Sequence, residues 1–124
     1  MEPVDLSETL SRFVVYNRWI RADNTVRHIA FTPNKNGETS VFRTSGIFDN
    51  EVWNIGEREV GIKQNKPILG RTDITASIIL SNHLEIIPSE PPERHADITG
   101  WPEEKDKQKD IALELAEKAR FHKR

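Results

Sequence analysis

The sequence predicts a single α+β domain over residues 1–124, built on a mostly antiparallel sheet of about four or five strands with two helices packed on one side. Three observations carry that expectation. Short runs rich in β-branched and aromatic residues recur along the chain, each bounded by Pro, Gly, Asn or Asp. The last fifth of the chain has the apolar spacing of an amphipathic helix. A length of 124 residues with 35% hydrophobic content supports one modest core and no second domain.

Residues 1–11 are polar without a clear period and are expected to form a loose leader or a short helical turn. The run Phe13 to Ile20 reads as the first strand, and Val26 to Thr32 as a second strand or an ordered loop. The cluster from Pro33 to Gly37 is a turn, because Pro presets φ while Asn and Gly accept positive φ. Glu38 to Thr44 is the next strand, and Ser45-Gly46 ends it.

Asp49 suits the N-cap of a helix over 50–60, with Val52, Trp53, Ile55 and Val60 on its apolar side and Gly61 as its stop. A glycine inside a helix costs about 1 kcal/mol against Ala, so Gly56 marks close packing at that point. Gly70 to Ser77 begins as strand and becomes ambiguous at Ile78 to Leu80. Asn82 and His83 turn the chain into a short strand, Leu84 to Ile87, and Pro88, Pro91 and Pro92 then favour an extended connection. His95 to Thr99 is again extended, and Gly100-Trp101-Pro102 makes a corner. The final helix, over 102–121, has acidic residues in its first turn, basic residues near its end and an apolar stripe of Ile111, Ala112, Leu115, Ala116 and Ala119.

Composition narrows the chemistry. With 18 Lys+Arg against 20 Asp+Glu the formal charge is −2, so no strong field favours nucleic acid or an anionic membrane. The chain contains no cysteine, which excludes disulfides, thiolate metal ligands and thiol catalysis. The histidines at 28, 83, 95 and 122 show no metal-binding spacing, and GxGxxG, GxxxxGK[ST] and GxSxG are all absent, so neither a metal nor another cofactor is expected. The N-terminus lacks the pattern of a secretory signal and no apolar run reaches membrane-spanning length, so a cytoplasmic protein is expected.

Three constellations carry chemistry. His95 and Asp97 share a face if their segment is extended, and a carboxylate-oriented His is a general acid–base arrangement; these two are the catalytic candidates, against a plainer reading as a boundary pair bonded to backbone or Arg. Arg71 and Asp73 are another same-face pair; if the strands adjoin, Arg43, Arg71, Asp73, Arg94, His95 and Asp97 would line one polar ligand-binding pocket able to grip phosphate or carboxylate. The competing reading is a set of structural ion pairs. Arg12 to Arg21 interleaves basic and aromatic residues as base-stacking surfaces do, but it also describes an ordinary strand, and that reading outweighs RNA binding.

The run from Pro91 to Ala116 matches the pattern PxRHAxIxGWPxxKxxQKxxAxxLA. In this it resembles a family of small uncharacterised bacterial proteins, a likeness that extends upstream through Asp23 to Val26 and Ser40 to Arg43 as far as Gly70 to Asp73. The resemblance implies a bacterial, cytosolic protein and transfers no activity. The expected function is a non-enzymatic binding or interaction module whose Arg/His/Asp surface meets a protein or a small anionic ligand. The alternatives are an enzyme acting on a nucleotide or other phosphate-containing substrate with His95 as acid or base, and an RNA-binding sheet. Homo-oligomerisation is left open by the short strands.

Overall fold

The computed structural model describes residues 2–124. Six strands form one antiparallel sheet: β1 (Thr9–Val14), β2 (Thr39–Arg43), β3 (Gly70–Thr75), β4 (Glu85–Pro88), β5 (His95–Thr99) and β6 (Arg120–Lys123), in the order β4-β5-β2-β1-β3-β6. The helices are α1 (Asp49–Gly56), which continues through a π-helical segment, Glu57–Gly61, into α2 (Ile62–Gln64); α3 (Ala76–Ser81); and α4 (Lys105–Lys118). The α+β class with an antiparallel sheet is as predicted, with six strands in place of four or five.

Alternation along the strands divides the apolar residues between two faces. Leu10, Val14, Val41, Ile74, Ala96 and Ile98 pack with α3, with Ala112, Leu115 and Ala116 of α4, and with Ala30 and Phe31. Phe13, Val15 and Phe42 point the other way and pack with Val52 and Ile55 of α1. The two long helices therefore cover opposite faces of the sheet instead of sharing one, because both faces of β1 and β2 carry apolar side chains to be covered.

Local boundaries differ for identifiable reasons. The first strand begins at Thr9, inside the stretch expected to be loose, and ends at Val14; Asn17–Trp19 is a 3₁₀ turn and the chain closes on itself through an Ile20–Val26 bridge. Ser11 is fully buried yet satisfied, its hydroxyl lying 2.7 Å from Thr44 Oγ1 and 2.6 Å from Asp73 Oδ1, so polar residues sit inside a strand that the composition disguised. His28–Ala30 is a second 3₁₀ turn. The helix passes through Gly61 and ends at Asn65, which adopts the left-handed conformation with φ 54°. At the other end α4 stops at Lys118 and not at 121: Arg120–Lys123 turns back as β6 and pairs with β3 from Asp73 to Gly70. No helix among the described residues is long and apolar enough to cross a membrane.

One feature of register opens the sheet. β1 stays paired to β3 over six positions but pairs to β2 only at Leu10↔Arg43 and Ser11↔Phe42. Beyond Ser11 the two strands separate. The gap between them, roofed by the π-helical segment and α2, is a groove.

Candidate functional site

The residues predicted to share one pocket occupy three places. Arg43 is held by Glu8 through two parallel bonds, Nε to Oε2 at 2.5 Å and Nη2 to Oε1 at 3.0 Å, and also donates to the carbonyls of Glu2 and Pro3. Arg94, with φ 71°, donates through Nη1 to the Arg43 carbonyl. The cavity beside them, about 500 Å³, is lined by Glu2, Asp5, Glu8, Glu90 and Glu93 as well, so carboxylates outnumber guanidiniums. Arg43 has its donors engaged, and the field around it does not favour an anion.

Arg71 and Asp73 lie two strands away. Arg71 is buried at 4% exposure, donates from Nε to both Asp73 oxygens at 3.2 Å and from Nη2 to Asp49 Oδ1 at 3.0 Å, and stacks 4.6 Å from the Trp53 ring centroid. Asp73 also accepts from Ser11 and lies 3.4 Å from His122 Nε2. This network joins β1, β3, β6 and α1, and it has the form of the structural ion pairs weighed against the pocket.

His95 stands apart from both groups. Its Nε2 lies 2.6 Å from Ser40 Oγ, its Nδ1 2.6 Å from Ser89 Oγ and 3.2 Å from the Ser89 carbonyl, and its ring meets Phe42 edge-on at 5.2 Å. Asp97 shares its face, as extended spacing requires, but its Oδ1 is 3.9 Å from Nε2, so Ser40 and not Asp97 is the close partner. Ser89 is placed by the β4–β5 hairpin, where its N–H donates to the His95 carbonyl at 2.9 Å.

His95 lines the groove between β1 and β2. This cavity, about 380 Å³, is walled by Phe13, Tyr16, Trp19 and Phe42 and edged by Arg12, Ser40, Glu59, Lys63 and Gln64. Arg12 is one of its lining residues. On β1 that residue falls on the same face as Leu10 and Val14, so its side chain enters the sheet instead of solvent. Its Nε donates to the Ala30 carbonyl and its Nη1 to the Ser40 carbonyl, both at 2.9 Å, while the guanidinium lies 5.3 Å from the Trp19 ring centroid. It thereby satisfies a Ser40 carbonyl left without a ladder partner where the strands part.

Among the described residues no carboxylate pairs with Arg12. Crowding of protein atoms around the guanidinium pushes it down to about 10, so it is still charged at neutral pH. Among the described residues its Nη2 makes no hydrogen bond, and it is not enclosed. Glu59 is held below the ordinary carboxylate range by Lys63 and Arg58, which already neutralise it. Trp19, 8% exposed, has an indole N–H that is buried without a partner.

The sequence places Arg12 on the outer face of an ordinary strand or, as the lesser alternative, on a base-stacking surface, and does not single out Ser40 or Lys63. The signal was present: starting the strand at Thr9 puts Arg12 in register with Leu10 and Val14. No family model matches the chain, and no curated protein and no solved structure matches it significantly. The bacterial resemblance thus gains no support from these comparisons, whereas its motif has structural occupations. Gly100 takes φ 84° at the corner, Trp101 Nε1 donates to the Ile98 carbonyl, Gln108 Nε2 donates to the Pro102 carbonyl, and Ala96, Ile98, Ala112, Leu115 and Ala116 are core.

Proposed function

We propose that this protein is a binding module for a small planar ligand bearing an anionic group, held in the groove between β1 and β2. The observation that carries the reading is Arg12: a half-buried, partly desolvated charge with two nitrogens anchored on backbone carbonyls and, among the described residues, no carboxylate partner and no hydrogen bond to its third nitrogen. Partial desolvation of a charge without a counter-ion costs free energy, and an incoming carboxylate or phosphate would supply the partner. The four aromatic rings in the walls favour a flat apolar body. Trp19 is buried and Tyr16 packs on it at a tilt of 51° with ring centroids 5.1 Å apart, which favours the groove over an open sheet face as the place where these rings meet a ligand.

The test is a 1H–15N NMR titration with benzoate, aryl phosphates and mononucleotides. Saturable shifts confined to the Trp19 indole N–H, Arg12 and Ser40 are expected, weakened tenfold or more in Arg12→Met. Shifts centred on Arg43 and Arg94, or none at the groove across the panel, would overturn the assignment.

A further inference from the structure

The geometry points to a second property of the same groove, which rests on the ligand-site reading: Ser40 is a nucleophile served by His95, and the groove hydrolyses small aryl esters. A serine becomes reactive when a base within hydrogen-bond reach can take its proton and a third group holds that base in place. Here Ser40 Oγ and His95 Nε2 are 2.6 Å apart, and both residues line the groove. On the far side of the ring, Ser89 supplies a carbonyl 3.2 Å from Nδ1 and a hydroxyl at 2.6 Å. A carbonyl only accepts, so it favours the tautomer with its proton on Nδ1, which leaves the Nε2 lone pair for the Ser40 hydroxyl. Phe42 packs against the ring and restricts its rotation.

Arg12 adds a cation beside the nucleophile. Its Nη1 is bonded to the carbonyl of Ser40 itself, which ties the cation to the residue that bears the nucleophile, and among the described residues Nη2 makes no hydrogen bond. A guanidinium so placed can accept the negative charge that develops on an ester oxygen.

The steps balance without any other reactant than water. Ser40 Oγ attacks the ester carbon as its proton passes to His95 Nε2; the C–O bond to the leaving alcohol breaks and that oxygen takes the proton from Nε2. Water then attacks the acyl-serine with His95 again as base, releasing the acid and restoring Ser40.

The experiment treats the full chain with a fluorophosphonate probe and, separately, with p-nitrophenyl acetate, following intact mass, peptide mapping and turnover. A single adduct on Ser40 is expected, forming at least about 100-fold more slowly in His95→Gln. In the wild type the labelled peptide is expected to be the one that carries Ser40, a readout that needs no variant to fold. An adduct elsewhere, no adduct or an unchanged rate in His95→Gln would overturn the dyad. Ser40→Ala titrated with benzoate separates the two ideas: retained groove shifts without esterase activity in the wild type leave the ligand site standing and remove only the chemistry.

Discussion

Gly56 of α1 lies so close to the Phe13 ring of β1 that a Cβ on it would come within 2.5 Å of Phe13 Cε1. The contact sets how near the helix sits to the sheet, and so the height of the groove beneath the segment that follows. The ring is itself buried and packed against Phe42 at 5.9 Å, so it has little room to retreat.

Gly56→Ala should therefore destabilise the fold by about 1–3 kcal/mol, the cost of overpacking, although the same change in an exposed helix would stabilise it. Urea denaturation of the two proteins decides the sign. A variant as stable as the wild type or more so would mean that the helix is not seated where the contact places it.

The Glu8–Arg43 pair predicts a pH dependence. The hydrogen bond from Arg43 holds the Glu8 carboxyl below its ordinary 4.5, against an opposing contribution from burial. A carboxyl depressed in the folded state contributes stability above its unfolded value, and that contribution is lost as pH falls through the folded value. Glu8→Gln should cost about 1–3 kcal/mol at pH 7, with the difference from wild type shrinking as pH drops below 4.5. Thermal melts across that range measure it; a difference constant down to low pH would show that charge plays no part.

Arg71→Leu removes the cation joining Asp73 and Asp49 and the face stacked on Trp53. Asp73 keeps Ser11 and His122, so the expected loss is about 1–3 kcal/mol and not that of a fully orphaned charge. The change should leave groove binding intact, because Arg71 does not line that cavity. A melt shift together with an unaltered benzoate titration is the expected pair of results.

Arg12→Met separates stability from binding in the opposite direction. Losing bonds to two carbonyls destabilises, but removing a desolvated charge compensates, and the net change should stay under about 2 kcal/mol. Affinity for the anionic probe should fall at least tenfold, about 1.4 kcal/mol. Calorimetric melts beside the titration report both quantities; a large stability loss with unchanged affinity would make Arg12 a structural residue alone.

What local sequence determined was the class of fold and the elements whose signals are self-contained. The turn at Pro33 to Gly37, the strand at Thr39–Arg43, the acidic start of α1, the tight approach at Gly56 and the apolar stripe of α4 all follow from propensity, periodicity or φ preference over a few neighbouring residues. Tertiary structure decided what depends on partners far along the chain. Thr9 to Ser11 became strand because Thr44 and Asp73 satisfy a buried serine, and Arg120–Lys123 became strand because β3 had a free edge to pair. The same holds for the site. His95 was visible as an ionisable residue at an element boundary, but Ser40 is 55 residues away from it and Arg12 a further strand along, and only the parting of β1 from β2 brings the three to one groove. Strand pairing is long-range, with each register chosen by the whole set of faces to be buried, and a sequence read in short windows does not contain that choice.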